Sequence, residues 1–111
     1  MRKHLNEGRL LGDVTNGPFE HETKSGKLVA RFTVTTESER GGETYLQHHN
    51  VTTWEDDARW VMENVLKGQC VYVSGEMRTR TYPDENGDRK QSFEVVALPI
   101  KHGGIIIVCD E

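Results

Sequence analysis

Arginines and aromatic rings carry what chemistry this sequence offers. Arg78 and Arg80 sit either side of Thr79 and lead to Tyr82, and Arg31 lies within LVARFTVTT. Side chains alternate across a strand, so Tyr72, Glu76, Arg78, Arg80 and Tyr82 share one face, while Val71, Val73, Met77, Thr79 and Thr81 share the other. Trp54 points outward from its own strand together with His48, Asn50 and Thr52. Flat rings interleaved with guanidinium groups can stack on bases and meet phosphates, and each stacked base contributes about 1–3 kcal/mol. The same mixture also suits an ordinary solvated sheet. Trp54 could be capped by the helix that follows it, Tyr72 could be plain sheet surface, and Trp60 suits the margin of the helix packing or a partner surface.

Other chemistries lack their residues. The sequence contains no GxxxxGK[ST], no HExxH and no GxSxG. His48 and His49 are adjacent, so on a strand they face opposite ways and cannot chelate one metal, and His4, His21 and His102 stand alone. Asp84, Glu85 and Asp88 surround a turn, where solubility and turn chemistry account for them. Neither a metal, a cofactor nor an enzymatic activity is expected.

At 111 residues the chain suits one domain, residues 1–111, with a single core. No apolar run reaches a membrane span, and MRKHLNEGRLL lacks a signal-peptide core, so a cytoplasmic protein is expected. Cys70 and Cys109 sit in strand-like runs without metal-ligand spacing and read as reduced thiols rather than a disulfide. The net charge of −4 is unfavourable for a nucleic-acid binder, although a basic groove can exist on an acidic molecule.

The elements that must position these groups follow from periodicity. GRLLGDVT reads as a first strand bent at Gly12, Asn16-Gly17-Pro18 as a turn, and Phe19 to Thr23 as a segment that pairs back before a second turn at 24–27. Leu28 to Thr36 is a strand with Leu28, Ala30, Phe32 and Val34 inward. ESERGGE, residues 37–43, is expected to be a mobile loop, and Thr44 to Trp54 the third strand. Glu55-Asp56-Asp57 opens a helix whose stripe is Ala58, Val61, Met62, Val65 and Leu66, with Gly68 as its C′ residue. A long hairpin turns over residues 84–88 at Asn86-Gly87, and Ile105 to Cys109 is a late strand. The order fits an all-β, five-stranded barrel with one short helix between strands 3 and 4 and a protruding hairpin. A sandwich is the alternative.

The pieces GRLLGDVT, KSGKLVARFTVTTES, HHNVTTW and LKGQCVYVSGEMRTRTYPDENGDRKQSFEVVA together resemble the single-stranded DNA-binding proteins of bacteria, plasmids and phages, from about Leu5 to Ile107. That resemblance implies an oligonucleotide-binding barrel, usually a homotetramer, which coats exposed strands in replication, recombination or repair without chemistry on them. It implies stacking by Trp54, Tyr82, His48 and Tyr72, and phosphate contacts by Arg31, Arg78, Arg80 and Arg40. Arg40 and His48 stand where the family has tryptophans. His49 matches a histidine near the family's subunit interface. Family members serving genome replication carry a long tail with an acidic tip, and the sequence ends at Glu111 without one. A short form is therefore expected, assembled as a homotetramer or homodimer, and the thinned aromatic set and acidic balance imply weaker or narrower binding than the full-length family. The alternative is a protein–protein adaptor in a replication, primosome or conjugation assembly.

Overall fold

The computed structural model describes residues 3–108. Six strands and one α-helix follow in chain order: β1 Gly8–Glu22, β2 Leu28–Arg40, β3 Glu43–Trp54, α1 Asp56–Asn64, β4 Cys70–Pro83, β5 Arg89–Ala97 and β6 Ile105–Ile107. The sheet order is β1-β2-β3-β5-β4-β6, and β1 also pairs with β4, so the first five strands close into a ring. This is the barrel that the element order predicts, with α1 between β3 and β4. The sandwich alternative falls with the closure.

Alternation explains the inside of the ring. Val14, Ala30, Phe32, Val34, Val51, Val71, Val73 and Val95 come from all five strands and form one buried cluster with Ile105. Ala58, Val61 and Val65 of the helical segment join the same cluster, so α1 plugs one end of the barrel. Each fully buried valine or phenylalanine contributes roughly 1.5–3 kcal/mol of transfer free energy. The ring depends on strands that change partner. β4 pairs with β1 over residues 70–75 and with β5 over residues 75–83, and Gly75 belongs to both ladders. A Cβ there would stand 2.3 Å from the Val96 carbonyl oxygen, so only glycine lets the strands cross this closely.

Several local expectations change. Asn16-Gly17-Pro18 does not reverse the chain. It is an irregularity within β1, with register shifts between Val14 and Asn16 and between Asn16 and Phe19, after which the strand keeps pairing with β2. ESERGGE is not a mobile loop. β2 and β3 stay paired out to Arg40↔Glu43, and Gly41 and Gly42, at φ 56° and 82°, form the two-residue turn that closes a long hairpin. The helix is shorter than its apolar stripe. Val65 is already extended and Leu66 is largely exposed, because Gln69 Oε1 accepts from the Leu66 N–H and draws the chain out of the helix. Gly68 is therefore not the C′ residue; its N–H donates to the Val14 carbonyl. The late strand is Ile105–Ile107, paired with β4, while Cys109 lies outside the described residues.

Both hairpins outrun the barrel: no residue from Glu37 to His48 is buried, nor any from Glu76 to Glu94. Replacing Gly75 by alanine is expected to lower stability by about 2–3 kcal/mol, through overpacking where β4 changes partner. The urea midpoint reads this loss. Lys24→Ala, in an exposed turn, serves as the neutral control, within about 0.5 kcal/mol.

Candidate nucleic-acid interface

Cross-strand partners share a face, so the registers place the outward side chains on a grid. One row runs Phe19, Arg31, Thr52, Val96 and Glu76 across β1, β2, β3, β5 and β4. The next row on one side holds His21, Val29 and Trp54. On the other side come Thr33, Asn50, Glu94 and Arg78. Beyond these, Arg80 pairs with Ser92 and Tyr82 with Lys90 along the β4–β5 hairpin. Arg31, Arg78, Arg80, Trp54 and Tyr82 therefore lie on one continuous outer face.

Arg31 is the centre of that face. Its guanidinium is half-buried, and its Nη1 lies 3.3 Å from His21 Nε2. Its Nε is buried without a hydrogen-bond partner, as is the hydroxyl of its cross-strand neighbour Thr52. Burial lowers the Arg31 pKa, nearby Arg80 lowers it further, and Glu94 opposes both. Arg80 Nη1 is 3.8 Å from Glu94 Oε1, and Arg78 Nε is 3.3 Å from Glu76 Oε1. The Glu94 side chain is only 10% exposed, and its carboxylate offsets part of the positive charge of Arg80 and Arg31. The Arg78–Glu76 pair is open to water and contributes little, so it can exchange for an incoming anion.

The rings differ in setting. Trp54 is 38% exposed, is the cross-strand partner of fully buried Val29, and borders a cleft of about 550 Å³ with Trp60, Glu55, Asp56, Asp57 and Lys101. Trp60 is only partly buried and packs against the core, which agrees with a place at the helix margin. Tyr82 is 43% exposed near the tip of the β4–β5 hairpin, beside Lys90 and the acidic turn. By register, Trp54 and Tyr82 stand at opposite ends of the face.

His48 is outward and exposed. Its Nδ1 is 2.8 Å from Thr35 Oγ1, which is 2.7 Å from Thr15 Oγ1, so two hydroxyls fix the ring.

Three residues lie away from this face. Tyr72 points outward on the β1–β4–β6 side, between Leu11 and Ile106, and is not brought to Arg31. Strand parity puts Arg40 on the opposite side of β2 from Arg31, at the hairpin tip across from Glu43. His49 points to the core side. It is half-buried, with Nε2 2.9 Å from Thr36 Oγ1, and lines a cleft of about 140 Å³ with Met77 and Phe93. Among the described residues no group of three or more His, Cys, Asp or Glu side chains could hold a metal ion, and no helix is long and apolar enough to cross a membrane.

Sequence reasoning missed Phe19 and His21, because it ended the first strand at Thr15 and read Asn16-Gly17-Pro18 as a turn. It also missed Glu94, whose neighbours come from two other strands. No local signal marks Phe19: the ladder, carried through the irregularity, is what pairs it with Arg31.

A five-stranded closed ring, plugged by one helix and presenting a basic and aromatic outer face, defines an oligonucleotide-binding class of barrel. The chain belongs to the single-strand binding protein family, whose model matches residues 5–102. It is 33% identical over 107 residues to single-stranded DNA-binding protein 1 of Chlorobaculum tepidum, covering 91% of this chain and 66% of that protein. It is also 33% identical over 108 residues to single-stranded DNA-binding protein A of Bacillus subtilis, covering 90% and 63%. The chain thus spans about two thirds of the length of these curated relatives. The structure of a Plasmodium falciparum SSB complex with ssDNA superposes with a TM-score of 0.77 at 25% identity, covering 86% of this chain and 88% of that one.

Burial, followed by neighbouring His48, lowers the pKa of His49. The folded state then binds fewer protons than the unfolded one, so this contribution is complete above the ordinary histidine value of about 6.5 and is lost as pH falls through the lowered value. Between about pH 7.5 and about pH 5.5, the Tm of His49→Gln is expected to fall less than that of the wild type.

Proposed function

We propose that this chain binds single-stranded DNA without catalysis and protects or organises exposed strands in replication, recombination or repair. One observation carries the reading: Arg31, Arg78 and Arg80 cluster on the same outer face as two exposed rings, Trp54 and Tyr82, spread along an open path rather than gathered in a pocket. Such a surface takes a polymer through its backbone charge and the π-faces of its bases, with little sequence preference. Family membership and the DNA-bound structural neighbour support it. Arg31, Arg78 and Arg80 would meet phosphates, and Trp54 and Tyr82 would stack, with fixed His48 as a smaller platform. Arg40, on the reverse side of its hairpin, would serve a strand that wraps around the arm. The protein would act in the cytoplasm, with no cofactor.

Homo-oligomers are part of the same reading. Leu11, half-buried Tyr72 and Ile106 form an apolar row across β1, β4 and β6, with Leu11 58% and Ile106 52% exposed. A second copy would cover this row, so Tyr72 is reassigned here from stacking to assembly, while His49 would adjoin a separate contact through Met77 and Phe93. Replication or primosome proteins would join the assembled form.

Titration with labelled dT oligomers tests the binding. Trp54→Ala is expected to weaken it by about 1–3 kcal/mol, the loss of one stacked base. Arg78→Ala and Arg80→Ala should each reduce the slope of log K against log salt by about 0.7. Saturable binding by the wild type supports the reading, and silence at micromolar protein refutes it. In sedimentation, Ile106→Asp should give a smaller particle than the wild type; equal sizes would remove the apolar row from the assembly.

A further inference from the structure

We propose that Phe19 is an additional base-stacking platform, which carries the path of the bound strand beyond Arg31 onto β1. The inference rests on the single-strand reading above and assigns that surface a residue and an extent it otherwise lacks.

Phe19 is 59% exposed on the outer face, although a phenylalanine ring loses more by facing water than almost any other side chain. It has no place in the core cluster. In the β1–β2 ladder it stands directly across from Arg31, the residue whose Nε is buried without a partner. Trp54 lies on the other side of Arg31, two strands over from Phe19 and one row along. Strand spacing and rise put the backbone positions of the two about 12 Å apart, with Arg31 on the strand between them. Ring, cation, ring is the order in which base, phosphate and base would be met.

Bare backbone lies beside the ring. Gly17, at φ 87°, approaches it so closely that a Cβ there would sit 3.3 Å from Phe19 Cδ2 and 2.9 Å from the Arg31 carbonyl oxygen. Glu20 and Glu22 alternate to the other face of β1, so their charges do not oppose a phosphate there.

Equilibrium binding of dT oligomers of graded length tests the proposal. Phe19→Leu keeps an apolar side chain but removes the flat ring, and folding is checked by its Tm. It should weaken binding of the longer oligomers by about tenfold, and the length at which affinity stops rising should shorten. A second variant combines Phe19→Trp with Trp54→Phe and Trp60→Phe, leaving one indole in the protein. Its emission should be quenched on saturation with dT. Unchanged affinity and length dependence in Phe19→Leu, or an indole indifferent to dT that still binds, would overturn the proposal while leaving the wider reading intact. A wild-type protein that ignores dT altogether would instead sink the wider reading, and this one with it.

Discussion

Three residue pairs close this molecule: Asn50 with Glu94, Val51 with Val95 and Thr52 with Val96, in the parallel ladder between β3 and β5. Without them the strands would form an open sheet with two unprotected edges. Short parallel pairing is weak in itself, so the junction relies on what surrounds it. Val51 and Val95 enter the core, and Gly75 allows β4 to leave β1 and reach β5. The same three pairs align the outer face. They set Thr52 beside Val96 and Asn50 beside Glu94, and so join the β2–β3 ladder that carries Arg31 to the β4–β5 ladder that carries Arg78 and Arg80.

The charge of the whole molecule and that of this face have opposite signs. At a net −4 the chain repels a polyanion at long range, yet three guanidinium groups converge over a few rows of the sheet. Screening limits the first effect to about 10 Å at 0.1 M salt, whereas the second acts at contact. In the proposed binding, association would therefore be slowed at low ionic strength more than the bound state is weakened.

Much of this was legible in the sequence. The alternation in LVARFTVTT and CVYVSGEMRTRTY gave the strand faces, and Arg31, Arg78 and Arg80 came out on the side that the registers confirm. Local signals failed where tertiary pairing overrode them. Asn16-Gly17-Pro18 has turn residues, but pairing with β2 holds the chain straight through it. ESERGGE has the composition of a loop, but a two-glycine turn lets its flanks pair to the tip. Tyr72 shares its parity with Arg80, yet β4 changes partners at Gly75 and so leaves Tyr72 on another side of the barrel. Parity along one strand cannot reveal where a barrel turns its corner.

Glu94 gives the basic face a resident competitor. Nearly enclosed and set between Arg78 and Arg80, it already occupies the charge that an arriving anion would seek. A free phosphate, nucleotide or acidic side chain approaching Arg80 would have to compete with this tethered rival. A long chain of phosphates would meet several arginines in succession, and its many weak exchanges would add together. In the binding proposed above, the carboxylate would act as a threshold, admitting ligands by their length more than by their charge.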